Sequence, residues 1–116
     1  MKDRKEQARR HAVAREAEKM VAKKVGGQTT NHTAPFDVVD FGMKVAYEVK
    51  AMSAFSKDLK IHISDSSMKR KKAFARKYGL KAVLLAVVIY SPHKVKVYST
   101  TLKQSARVKQ MKVVAI

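Results

Sequence analysis

The run Ala82-Val83-Leu84-Leu85-Ala86-Val87-Val88-Ile89-Tyr90 constrains this chain more than any other segment. It is apolar almost without a break and rich in branched side chains. It lacks the alternation of a strand with one wet face, and so predicts a strand buried on both faces. Such a strand needs a layer of structure on either side. The run is also far shorter than the roughly 20 residues that span a bilayer, so no membrane partner is expected.

The flanking segments supply those layers. Residues 4 to 25 are rich in Ala, Arg, Lys and Glu, with Val13, Ala17, Met20, Val21 and Val25 at helical spacing, and Gly26-Gly27 stops the pattern. A polar connector, Gln28 to Pro35, leads to two apolar stretches around Phe41-Gly42. These predict a β-hairpin over Phe36 to Met52 in which Val45, Tyr47 and Val49 face one way and Ala46, Glu48 and Lys50 the other. A short strand is expected at Ile61 to Ile63. Ser64 or Asp65 then caps a helix that runs to Tyr78 and stops at Gly79. Its apolar face is read as Met68, Phe74, Ala75 and Tyr78. After the buried strand come a turn at Ser91-Pro92-His93 and an exposed edge strand at Lys94 to Ser99. The expected fold class is α/β, a small mixed β-sheet flanked by α-helices. It is read as a single domain over 1–116, with a basic helix at 4–25, a core at 28–100 and a basic tail at 101–116 that could be helix or strand.

Charge is the second constraint. Lys and Arg number 26 against 9 Asp and Glu, a formal net charge of +17. That balance makes a polyanion the expected partner. No acid follows Asp65, whereas thirteen Lys or Arg do, and five of the nine acids lie between Asp37 and Asp65. An acidic island in so basic a chain points to a cation site. The absence of cysteine excludes disulfides, thiolate zinc sites and a cysteine nucleophile. Together with a charged, helical start that does not read as a secretory signal, it gives a cytoplasmic expectation.

Along the chain, an acid is followed two residues later by lysine at Asp3-Arg4-Lys5, Glu48-Val49-Lys50 and Asp58-Leu59-Lys60. Only Glu48 lies mid-strand between apolar neighbours, with a second acid, Asp37, across a hairpin. If the turn centres near Gly42, Asp37 lies opposite Tyr47 or Glu48. Two carboxylates on adjacent strands can share a hard divalent ion such as Mg²⁺, and phosphodiester cleavage needs the activated water and charge neutralisation that such an ion supplies. The plainer reading is a solvent-facing Glu/Lys pair on a strand.

Over residues 18 to 90 the chain resembles the PD-(D/E)xK, or restriction-endonuclease-like, nuclease superfamily. Asp37 matches the family's Asp, and Glu48 and Lys50 match its Glu-x-Lys. The segments Asn31-His32-Thr33-Ala34-Pro35-Phe36-Asp37-Val38-Val39 and Tyr47-Glu48-Val49-Lys50 are similar to nuclease-like domains of phage-associated proteins, and more distantly to Holliday-junction resolvases. One departure is Phe36, which separates Pro35 from Asp37. The resemblance implies a Mg²⁺-dependent endonuclease, with Mn²⁺ as a substitute and DNA as substrate, in which Asp37, Glu48 and the Val49 carbonyl hold the metal and Lys50 serves the attacking water. It also implies a further Glu from the first helix, with Glu18 ahead of Glu16. A phage-encoded protein acting in the host cell fits, as does a homodimer, since junction-cleaving relatives are dimers. The alternative is an inactive, basic nucleic-acid-binding module of a phage or repair assembly.

Arg9 and Arg10 on the first helix, with Lys69, Arg70, Lys72 and Arg76 on the second, are the candidate phosphate contacts. His32 reads as a loop histidine, Asp40 as either the cap of the hairpin turn or a supporting acid, and Tyr47, Phe74 and Tyr78 as core aromatics. Ser53, Ser56, Ser66 and Ser67 show no pattern for nucleophilic catalysis.

Overall fold

A computed structural model describes residues 4–25, 27–30, 34–55, 59–91 and 93–114, with the side chains of 4–11 and 14 left out. It is a mixed α/β fold built on a six-stranded sheet and two helices. The chain runs through α1 (Arg4–Val25), β1 (Gln28–Thr29), β2 (Val38–Asp40), β3 (Val45–Ser53), β4 (Lys60–His62), α2 (Asp65–Tyr78), β5 (Lys81–Ser91), β6 (Lys94–Thr101), β7 (Ser105–Arg107), a 3-10 turn (Val108–Gln110) and β8 (Lys112–Val114).

The large sheet has the order β1-β2-β3-β5-β6-β8, and β4 pairs with β7 in a separate ribbon. Strands β2 and β3 form the expected antiparallel hairpin, with Val38 opposite Tyr47. Strand β5 lies parallel to β3, so the chain must cross over between them, and α2 occupies that crossover. The apolar run at β5 is covered on both faces. Val83, Leu85 and Val87 pack with Ala17, Val21 and Ala22 of α1 and with Val49 of β3. Leu84, Ala86 and Val88 pack with Met68 of α2 and with Ile61, Ile63, Ala106, Val108 and Met111. A third group, Phe36, Val39, Ala46, Ala75 and Leu80, joins the hairpin to the end of α2.

Local signals place the helix ends. The Ser64 hydroxyl accepts a hydrogen bond from the Ser67 amide at 3.3 Å, which settles the choice between the two caps. Gly79 takes the left-handed conformation (φ 62°) that ends α2. After α1, a Cβ on Gly27 would come within 3.1 Å of both a Val38 side-chain carbon and the Val39 carbonyl oxygen. The tight junction of α1 with β2 therefore needs a residue without a side chain.

Four expectations are corrected. The polar connector contains β1, because its extended backbone finds an unpaired edge on β2. Strand β6 is not an edge, since β8 pairs with Val97, Tyr98 and Ser99. Residues 101–114 are not a tail: β7 pairs with β4, and Ala106, Val108 and Met111 are buried against β5. Val13 and Tyr78, assigned to apolar faces, are 39% and 43% exposed. Tyr78 is the last residue of α2, and Val13, midway along α1, borders an open groove lined also by Val87, Ile89 and Val95. No helix among the described residues is long and apolar enough to cross a membrane.

If the C-terminal segment is core, Met111→Ala should destabilise the fold by about 2–5 kcal/mol. Val113→Ala, at a position 58% exposed, should cost no more than about 0.5 kcal/mol. Urea unfolding followed by circular dichroism measures both, and equal midpoints for the two variants would return this segment to the status of an appendage.

Candidate functional site

Strand β2 begins one residue after Asp37, so the part of β3 beyond Tyr47 has no β2 backbone to pair with. Asp37 fills that gap. Its amide donates to the Tyr47 carbonyl at 3.1 Å, and its Oδ2 accepts from the Val49 amide at 2.9 Å. The N–H and C=O of one residue in an extended strand point to the same edge. The Val49 carbonyl is therefore directed towards the same open side of β3 as the Asp37 carboxylate.

Glu48 leaves β3 on the face covered by α2 and is only 5% exposed. Its Oε2 lies 2.5 Å from the Nζ of Lys71, a lysine that is itself 7% exposed. Lys71 also donates to the Pro35 carbonyl, and its ammonium lies 5.5 Å from the centroid of the Phe36 ring. A buried ammonium is costly unless such partners surround it. Here a carboxylate, a carbonyl and a ring face do so, and no buried side-chain nitrogen or oxygen among the described residues lacks a hydrogen-bond partner.

Asp37 also links Glu48 to α1. Burial pushes the Glu48 carboxyl up to about 7; hydrogen bonding to Asp37 and its negative charge add to the rise, and Lys71 opposes it. Glu18 is raised by burial first, then by the charge and hydrogen bond of Asp37, against the opposing charges of Lys50 and Arg15. Asp37 thus stands between two carboxyl groups that it perturbs. Glu16, the other candidate on α1, is exposed and lies 3.8 Å from Lys19. The plain surface role describes Glu16, while Glu18 belongs with the cluster.

Lys50 is exposed on the Glu48 side of β3. On α2, Lys69, Arg70, Lys72 and Arg76 are all exposed, and Lys69, Lys72 and Arg76 share one stripe by helical spacing. Arg9 and Arg10 lie in α1, but their side chains fall outside the described residues, as does all of His32. Asp40 takes the turn role: its Oδ1 accepts from the Met43 amide at 3.1 Å.

The sequence reading missed Lys71. It lies three residues after Met68 and four before Ala75, in the middle of the apolar face of α2, and both those neighbours are buried. A lysine interrupting a helical apolar stripe was the available signal.

Among the described residues, no three His, Cys, Asp or Glu side chains converge as a ready-made metal cage. The reason is visible in the contacts: Glu48 is turned to Lys71, and one Asp37 oxygen is held by the Val49 amide. The donor chemistry nevertheless suits a hard cation. Glu18, Asp37 and Glu48 offer only oxygen ligands, and their crowding is of the kind a divalent ion relieves. Comparisons with protein-family models, curated proteins and solved structures return no match to this chain.

A carboxyl with a raised pKa binds protons more tightly in the folded state than in the unfolded one. Its contribution to stability is therefore present below the ordinary carboxylate value, near 4.5, and is lost as pH rises towards about 7. The melting temperature of metal-free protein should fall across that window. In Glu48→Gln the slope should flatten; an unchanged slope would place the titration elsewhere.

Proposed function

We propose that the protein is a Mg²⁺-dependent nuclease of the restriction-endonuclease-like type, acting on DNA. The observation that carries this reading is the Asp37 carboxylate, set between Glu48 and Glu18 at the open end of β2 with Lys50 nearby. The order of α1, hairpin, α2 crossover and parallel β5 agrees with the resemblance set out above.

Asp37 and Glu48 would hold the metal, with the Val49 carbonyl and Glu18 beside them. When bound, a divalent ion supplies a water of lowered pKa and neutralises phosphate oxygens. The chain's own residues do the rest. Asp37 is fixed in orientation by the Val49 amide, and Glu48 and Glu18 hydrogen-bond to the same carboxylate. Lys50, exposed and close enough for its charge to act on Glu18, would orient the attacking water and steady charge on the phosphate. Lys71 balances Glu48 while no cation is present. The Lys69, Lys72 and Arg76 stripe offers a track for the phosphate backbone.

The same contacts favour a second reading in one respect. The Lys71 ammonium already supplies Glu48 with a cation, as it would in a site that binds nucleic acid without cleaving it. Purified protein on duplex, single-stranded, flapped and four-way-junction DNA with Mg²⁺ or Mn²⁺ separates the two. The nuclease reading expects cleavage, and folded Glu48→Ala should lose it while still binding DNA. Cleavage by that variant at the wild-type rate would remove Glu48 from the site, and salt-sensitive binding without any cleavage by the wild type would select the second reading.

Lys71→Met leaves Glu48 buried without its cation. At neutral pH the variant should lose about 3–5 kcal/mol of stability, the usual cost of breaking a buried pair on one side. The double variant Lys71→Met with Glu48→Gln should recover most of that loss. Denaturant unfolding of the four proteins gives the coupling directly, and simple additivity would show that the pair is not energetically linked.

A further inference from the structure

The turn of the β2–β3 hairpin holds Asp40 and Gly42, yet it also exposes two large apolar residues that turns do not favour. Phe41 and Met43 are 54% and 74% exposed, at positions where Gly, Asn or Asp would suit the backbone. Lys44 adopts a φ of 60°, uncommon for a residue with a side chain. Its carbonyl accepts from the Lys81 amide at 2.7 Å, which ties the turn to the start of β5, just beyond the end of α2. There Tyr78, 43% exposed, meets the Phe41 ring edge-on at 6.1 Å.

These two rings end a continuous aromatic line that starts under the carboxylate cluster. Phe36, beneath Lys71, lies 5.9 Å from Phe74, and Phe74 lies 4.8 Å from Tyr78. The buried end of the line is core. Its outer end is partly exposed and cationic: Lys44, Lys77 and Lys81 are exposed on the turn, the helix end and the strand start that meet there, with the Lys77 ammonium 5.4 Å from the Tyr78 ring centroid. The acid in this turn, Asp40, is buried and engaged with the Met43 amide. Apolar rings framed by cations alone complement a ligand that is flat and aromatic in one part and anionic in another. The ring pair favours a ligand with a flat aromatic part of its own, which heparin and other base-free polyanions lack.

We propose that Phe41, Met43 and Tyr78 form a stacking platform for unpaired bases of single-stranded nucleic acid, with Lys44, Lys77 and Lys81 meeting the flanking phosphates. This rests on the nucleic-acid reading above and narrows its substrate class. Tyr78 follows Lys71 by seven residues, about 10 Å along the helix at 1.5 Å per residue. At about 3.4 Å per nucleotide of a strand, a chain engaged at Asp37 and Glu48 reaches the platform within roughly three nucleotides. The substrate it suits has an unpaired stretch beside the bond to be cut.

The experiment uses the full chain in chelator, so that binding is measured without cleavage. Because the protein contains no tryptophan, Phe41→Trp places a single indole in the platform. The probes are a thymidine oligonucleotide, duplex DNA of equal length and heparin, a polyanion without bases. The oligonucleotide should quench the indole, while heparin binds without doing so. The variant Phe41→Ser, Met43→Ser, Tyr78→Ser leaves the charge unaltered. It should bind labelled oligonucleotide about tenfold or more weakly than wild type, within the range for lost base–aromatic stacking, with unchanged affinity for duplex and unchanged salt dependence. A melting curve establishes that it is folded. If that variant has lost its fold, the quenching of the single-tryptophan protein decides alone. Equal quenching by heparin, or unchanged oligonucleotide affinity in the folded triple variant, overturns the platform while leaving the nucleic-acid reading in place. A wild type that binds heparin but neither DNA overturns both.

Discussion

Every other element of this fold is placed by the double burial of β5. A strand with Val83, Leu85 and Val87 on one face and Leu84, Ala86 and Val88 on the other has no face to give to water. Burying each such side chain contributes roughly 1.5–3 kcal/mol, so the chain is driven to build a layer on each side. The helix α1 supplies one. The other is composite, made of α2, β4 and the C-terminal segment from Leu102 to Met111. The need for that second layer explains why a segment so rich in lysine folds into the domain: Ala106, Val108 and Met111 fill the area that the fourteen residues of α2 leave open.

Against this apolar frame, the ion pair of Lys71 with Glu48 stands out. Removing two charges from water is expensive, and a well-packed apolar pair is often as stable or more so. The pair is therefore poorly explained as a stability device. It lies where Glu48 meets Asp37, and Asp37 meets Glu18, so that burial and the nearby Asp37 make Glu48 and Glu18 hold their protons more tightly. Such a cluster is costly to the fold and attractive to cations. Lys71 answers that attraction from within the chain, and any metal ion has to compete with it.

What the sequence made legible follows from how local each signal is. The ends of α2 were readable because Ser64 and Gly79 act on their own neighbours. The hairpin was readable from its alternation, and with it the approach of Asp37 to Glu48, since the pairing of Val38 with Tyr47 brings them side by side. Glu18 could be narrowed to two candidates only, because the choice depends on how α1 is rotated over the sheet. Strands β1, β7 and β8 carry two or three residues each, too few for any period, and they exist only because partners wait for them. Lys71 was hidden by its own company. In the run Lys69-Arg70-Lys71-Lys72 all four residues look alike, and only the spacing of Lys71 from Met68 and Ala75 marks it as the one that turns inward.

The Asp37 carboxylate also serves the sheet. By accepting the Val49 amide hydrogen bond it continues, with a side chain, the ladder that β2 has ceased to supply. The same atoms terminate a strand and face the neighbouring acids, so architecture and chemistry are not separable at this position. Under the proposed nuclease reading, replacing Asp37 would mix two effects, a vanished ligand and a frayed strand end. Lys50, whose exposed side chain takes no part in the ladder, is the residue through which the proposed chemistry would be altered alone.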